Sequence, residues 1–287
     1  MNVKEAVNIY CGNIEEFSRR KRIAETQRLG MLTELLGVLV SSSSAETPSE
    51  VLAELKEALP TSTYEDRARL CAVLGASSRF GAQMRKISFR REEIAAGSHG
   101  KVSYVKNNYN EQAFVCFSEI ITRPKEIFSS SFADACEDVY DNRSEFCILP
   151  IENSQSGRLF GFYSMLDRYE LRICAVCEPD TGEGLEGSVK YALVGRSVPD
   201  RILKNSRWQF EFSVISDSGG ALSDILRVSE IFGASLVKID SLPVEYDGGL
   251  QKYYFTFGMS EANIPALDLF LTEEYARYTA VGTYPTV

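Results

Sequence analysis

Apolar residues recur at three- and four-residue spacing through Leu29, Leu32, Leu35, Leu36 and Leu39, then stop at the serine run 41–44. That period predicts an amphipathic helix with a break behind it. Thr47-Pro48-Ser49-Glu50 is a capping box with proline at the first helical position, and Val51, Leu52, Leu55, Ala58 and Leu59 give the next helix one apolar stripe before Pro60 ends it. A third helix is expected from Ser62 or Thr63 through Leu70, Val73, Leu74, Phe80 and Met84. Residues 1–92 therefore read as an all-α module. Behind the glycine- and charge-rich stretch 91–100 the period shortens. Strands are expected at Lys101–Val105, Glu126–Ser129 and Phe146–Pro150, helices at Glu111–Ile121 and Ser131–Tyr140, and a further strand at Leu171–Cys177. This alternation over 98–200 predicts one α/β lobe with a partly parallel sheet. Over 205–287 the order is strand Gln209–Ile215, helix Gly220–Phe232, strands Ser235–Asp240 and Lys252–Phe257, helix Ile264–Leu271 and strand Arg277–Gly282. That is βαββαβ, the ferredoxin-like arrangement. The fold class is α/β multidomain: a helical module, a single α/β lobe and a C-terminal ferredoxin-like unit.

Composition narrows the function classes. With 44% hydrophobic and 25% charged residues, the 287-residue chain has material for real cores. A net charge of -9 and a pI near 5.0 speak against nucleic acid as a partner. No apolar run reaches the roughly 18 residues that would cross a bilayer, and Met1-Asn2-Val3-Lys4-Glu5 opens no secretory signal, so a cytoplasmic protein without membrane partners is expected. The 7 cysteines are scattered and odd in number, as for reduced thiols. Cys174 and Cys177 form a lone CxxC on a strand, where residues three apart face opposite ways, so core packing is expected rather than metal or redox chemistry. His99 is the only histidine, which rules out a histidine-rich zinc site. No metal and no cofactor is implied.

Candidate chemistry concentrates in Leu149-Pro150-Ile151-Glu152-Asn153-Ser154-Gln155-Ser156-Gly157-Arg158. If a buried strand ends at Pro150 and a helix begins near Gly157, then Glu152, Asn153, Ser154, Ser156 and Gly157 gather at a helix N-terminus, where free N–H groups receive an anion. Plain capping by the same side chains is the alternative. Gly219 and Gly220 open another helix and would let a ligand carboxylate come close.

These residues also resemble a known family. Pro150-Ile151-Glu152-Asn153-Ser154, then Gly157 and a helix reaching Tyr163 and Leu166, resembles the substrate-carboxylate loop of prephenate dehydratases. Gly220-Ala221-Leu222, Lys238-Ile239-Asp240-Ser241-Leu242-Pro243 and Val281-Gly282-Thr283-Tyr284-Pro285 resemble the ACT domain of the same enzymes, where phenylalanine binds between subunits and turns the dehydratase down. The resemblance implies an effector site at Gly220, Ala221, Leu222, Asp240, Ser241 and Pro243, with an amino acid, phenylalanine in the family, as ligand. It also exposes departures. A complete dehydratase holds prephenate between two α/β lobes, whereas here only 178–189 stands where the second lobe belongs. The family threonine that protonates the departing hydroxyl aligns with Val189, Ser188 is one residue off, and the first glycine-rich loop is replaced by Lys106-Asn107-Asn108-Tyr109-Asn110. Leu242 replaces an arginine of the ACT motif. The N-terminal helices are similar to a chorismate mutase module, with Arg19, Arg20, Arg22, Arg28, Ser78 and Gln83 as the candidate site. The expectation is a degenerate, regulatory relative of the dehydratases of phenylalanine biosynthesis, a homodimer or larger, with a full-length pathway enzyme as a further partner. The alternative is an active prephenate dehydratase or chorismate mutase under amino-acid control.

Overall fold

Threonine caps set the N-terminal helices. In the computed structural model, which describes residues 3–89, 97–155, 157–179, 188–199, 208–216, 219–244 and 249–286, they are α1 (Val3–Ser42), α2 (Pro48–Ala58), α3 (Tyr64–Ala76) and α4 (Gly81–Ser88). Thr47 with Glu50 and Thr63 with Asp66 form reciprocal capping boxes that satisfy two orphan N–H groups each. The helix expected to run unbroken to Met84 is interrupted. Ser77 adopts an extended backbone and its hydroxyl caps the amide of Phe80, while Arg79 swings out to the carbonyls of Val40, Ser43 and Ala45 at the end of α1.

The middle segment runs β1 (Lys101–Val105), α5 (Asn108–Ser118), β2 (Lys125–Ser129), α6 (Phe132–Tyr140), β3 (Phe146–Asn153), β4 (Gly157–Arg158), α7 (Gly161–Tyr169), β5 (Arg172–Cys177) and β6 (Val189–Gly195). β1 pairs in parallel with β2 and β3, and β6 lies antiparallel between β3 and β5. The chain steps outward from β1 to β2 and back to β3. Same-handed crossovers in opposite directions put α5 and α6 on opposite faces of the sheet. Two apolar clusters result, one under α5 and one under α6 and α7.

The last segment is β7 (Trp208–Ser216), α8 (Gly219–Ser229), β8 (Ser235–Pro243), β9 (Gln251–Met259), α9 (Ile264–Glu274) and β10 (Tyr278–Pro285). Its strands are antiparallel neighbours in the order β10-β7-β9-β8. β10 also joins β5 through the parallel pair Gly282↔Ile173, so one ten-stranded sheet runs through both segments. Strand alternation sorts the β7–β10 faces. Phe210, Phe212, Phe255 and Phe257 point to α8 and α9 and share a single core with Leu36, Val51, Leu52, Leu74 and Phe80 of the N-terminal helices. Charge fixes that junction: Arg67 places a two-pronged guanidinium on Glu274, both bonds 2.9 Å, and Arg227 meets Glu65 at 2.8 Å. The opposite face of β7–β10 packs on α7 and β4.

The CxxC departs from simple alternation. A bulge between Ile173 and Ala175 resets the strand, and Cys174 and Cys177 both enter the cluster under α5 as free thiols. Among the described residues no helix is long and apolar enough to cross a membrane, and no group of three or more His, Cys, Asp or Glu is placed to hold a metal ion.

Candidate functional site

The helix expected to begin near Gly157 does not. β3 continues through Asn153 and turns back as β4, with Glu152 opposite Arg158 and Asn153 opposite Gly157; α7 starts only at Gly161. Gly157 takes φ +73°, a left-handed conformation that glycine alone enters without strain, and this closes the hairpin. The amides that a helix N-terminus would leave free are already used. The Gln155 amide donates to Asn153 Oδ1 at 2.8 Å, that of Ser154 to the Ser188 carbonyl at 2.9 Å, and that of Leu159 to the Ile151 carbonyl at 2.9 Å. Ser156 lies outside the described residues. Glu152, Asn153, Ser154 and Gly157 are brought together, but as a strand end and turn.

Charge around the hairpin is balanced internally. Lys238 of β8 approaches Glu152 at 3.1 Å and Lys190 of β6 at 3.8 Å. Burial works against the Glu152 carboxylate, yet the Lys238 hydrogen bond and the charges of Lys190, Lys238 and Arg158 hold its pKa below the ordinary value. Arg158 is the centre of the cluster. Its side chain is 9% exposed, donates to Glu211 at 2.6 Å and to Thr256 Oγ1 at 3.2 Å, bonds the Tyr163 hydroxyl and lies 2.8 Å from Asp240. Glu211, 2% exposed, also accepts from the hydroxyls of Tyr163 and Tyr284, the latter at 2.6 Å. Burial and the Glu211 charge push both phenols well above their ordinary pKa, so they act here as hydrogen-bond donors. The cavity beside this cluster, lined by Glu152, Arg158, Lys190, Lys238 and Thr256, holds about 130 Å3. Ligand pockets begin near about 300 Å3. The cluster binds two parts of the chain to each other and leaves little room for a substrate.

Val189 begins β6 opposite Asn153 and packs against the α5 cluster, whereas Lys190 turns to Glu152. At that position there is an isopropyl group and no proton to give. Strands β5 and β6 are adjacent antiparallel neighbours, with Cys177 opposite Tyr191.

The six effector candidates are split. Gly220, Ala221 and Leu222 open α8, on the phenylalanine face of β7–β10. Asp240 pairs with Tyr254 on the other face and spends its charge on Arg158. Ser241, one residue on, returns to the α8 face. Pro243 lies level with Ser216 across β9. Two strand spacings, about 10 Å, separate that end of β8 from β7.

The mutase candidates are also dispersed within one chain. Arg19 and Arg20 bond Glu16 on the exposed part of α1 at 3.1 and 2.8 Å, and Arg28 bonds Asp66 of α3. Ser78 and Gln83 belong to the turn and helix that Arg79 ties to the far end of α1 at Val40 and Ser43. At 1.5 Å per residue, Arg20 is about 30 Å along the helix from Val40.

Sequence reasoning missed Arg158, Tyr163, Glu211, Thr256 and Tyr284 as a site. Their trace is a polar stripe, Gln209, Glu211 and Ser213 beside Lys238, Asp240 and Thr256, which reads as the solvent face of an antiparallel sheet. Only the packing of α7 and β4 against it makes it an interior.

No protein-family model and no curated protein matches the chain. Solved structures do. The chain is similar to a prephenate dehydratase from Streptococcus mutans, with 18% identity and a TM-score of 0.54 over 65% of this chain and 98% of that one. GqqA, described as a novel type of quorum-quenching acylase, gives 17% identity and a TM-score of 0.49 over 65% and 95%. A prephenate dehydratase from Arthrobacter aurescens in complex with L-Phe gives 14% identity and 0.49 over 64% and 90%. At these identities the likeness to the Streptococcus mutans enzyme is one of fold, and this chain has a prephenate-dehydratase-like α/β fold.

Proposed function

We propose that this protein is a non-catalytic, amino-acid-responsive relative of the prephenate dehydratases, with β7–β10, α8 and α9 forming an ACT-type sensor. The observation that carries the reading is the direct antiparallel pairing of β5 and β6 across residues 178–188, where a dehydratase of two lobes would enclose its substrate. Val189 in place of a hydroxyl donor and the neutralisation of Glu152 by two lysines support it. So does the docking of the sensor sheet on the hairpin that would otherwise face prephenate.

The protein works as a dimer in this reading. Tyr10, Ile14, Phe17, Met31, Leu35 and Val38 are exposed along α1 in one alternating four-and-three register, the spacing of a coiled-coil seam. Lys21 and Arg28 fill positions of the same register, and antiparallel pairing with a second copy keeps each from facing itself.

Melting of the full chain across the free amino acids tests the sensor. A ligand at 100 times its dissociation constant adds about 2.7 kcal/mol. A flat profile across all of them contradicts the reading.

A further inference from the structure

We infer that Cys116 of α5 and Cys177 at the end of β5 form a reversible disulfide, a latch that fastens α5 to the sheet when a small disulfide oxidant is present. The inference stands apart from the sensor reading. Two thiol pairs bridge a helix and a strand of the α/β lobe. Cys136 of α6 and Cys147 of β3 hydrogen-bond on one face of the sheet, and Cys116 and Cys177 on the other. The first pair is sealed, with both residues 0% exposed. In the second, Cys177 is buried but Cys116 is half-exposed on the flank of α5, so a soluble oxidant can reach it.

The β5 bulge brings these two thiols together. By plain alternation Cys177 would share the face of Ile173, toward α7. The bulge between Ile173 and Ala175 shifts the phase, so that Ala175 and Cys177 lie under α5 while Val176 lies under α7. Cys177 then stands opposite Tyr191. Tyr109 and Cys116, two turns apart on one stripe of α5, both pack into the cluster that holds Tyr191 and Cys177. Cys174 is not the partner, because its thiol donates to the Ser197 carbonyl at 3.1 Å, nearer the start of the strand.

Access and burial assign the roles. The Cys116 thiolate attacks one sulfur of oxidised glutathione; the S–S bond breaks, one glutathione leaves and carries away the Cys116 proton, and a mixed disulfide remains. Burial first, and the adjacent Cys116 second, push the Cys177 thiol well above its ordinary pKa, so it stays protonated and resolves the mixed disulfide rather than opening the reaction. Cys177 attacks the Cys116 sulfur, and its proton departs with the second glutathione. Two protein thiols are oxidised by two electrons, and one glutathione disulfide is reduced to two thiols. The new bond joins the last turn of α5 to the last residue of β5.

The test equilibrates the folded full chain in buffers of reduced and oxidised glutathione, quenches with acid, alkylates the remaining thiols and maps peptides by mass spectrometry. The unaltered protein, Cys116→Ala, Cys177→Ala and Cys136→Ala are compared. The expected result is a Cys116–Cys177 link within one chain that dithiothreitol reverses, that Cys116→Ala and Cys177→Ala abolish, and that Cys136→Ala leaves unchanged. Cys177→Ala should stop at the mixed disulfide on Cys116. The linked protein should melt higher by at least about 4 °C. Cys116 is half-exposed, so Cys116→Ala carries the test if Cys177→Ala melts early. Both thiols still open to alkylation in excess oxidised glutathione, a link that forms only in urea, or a linked protein that melts where the reduced one does overturns the latch.

Discussion

Replacing Arg158 with methionine tests the Arg158 cluster most sharply. Methionine keeps much of the length and apolar stem of arginine, so the change removes charge and hydrogen bonds more than volume. Glu211 is left with the Tyr163 and Tyr284 hydroxyls, and Asp240 loses the guanidinium at 2.8 Å. Removing one partner of a buried ion pair costs about 3–5 kcal/mol, because the remaining charge stays desolvated. At about 2–4 °C per kcal/mol, the midpoint of thermal unfolding should fall by roughly 6–20 °C. Urea unfolding can be followed through Trp208, the single tryptophan, which is buried in β7 three residues from Glu211. The double variant Arg158→Met/Glu211→Gln should recover part of the loss, since the amide leaves less charge uncompensated. A single variant within about 1 kcal/mol of the parent, or a double variant no more stable than the single, would refute the reasoning.

Other outcomes follow from the same geometry. Gly282→Ala puts a Cβ within 2.6 Å of Ile173 Cβ and 2.7 Å of its carbonyl, so urea unfolding should show a loss of about 1–3 kcal/mol from overpacking at the seam. Asp66 and Glu152 have depressed pKa values: burial opposes the shift in both, but the Thr63 amide and Arg28 for Asp66, and Lys238 and Lys190 for Glu152, outweigh it. Their contribution is complete above the ordinary carboxyl values of 3.8 and 4.5 and is lost as pH falls through the lower folded-state values, so melting temperature should drop below about pH 4 and hold above it. Cys11 is exposed, whereas burial raises Cys174 to about 12 and holds Cys147 high as well; native thiol titration should modify Cys11 quickly and those two only on unfolding. Phe17→Glu should shift the chain to monomer in light scattering, and an unchanged mass would remove the α1 seam.

The sequence was legible where structure is local. Thr47-Pro48-Ser49-Glu50 foretold α2 because a capping box acts within four residues, and the alternation in β7 and β9 set the βαββαβ order because strand faces repeat every two residues. It misled at Gly157, where a turn glycine and a helix-opening glycine look alike until strand pairing decides between them. The Ser77 break was hidden because Arg79 is drawn out by carbonyls more than 30 residues away in sequence. The candidate site was the least legible part. Arg158, Glu211, Thr256 and Tyr284 come from four strands far apart in the chain, and nothing local marks them as neighbours.

The most direct test of the central claim is end-point formation of phenylpyruvate from prephenate by the purified full chain, with and without each amino acid. The account predicts no product above the uncatalysed background under any of these conditions. Sustained turnover by the protein alone would contradict it.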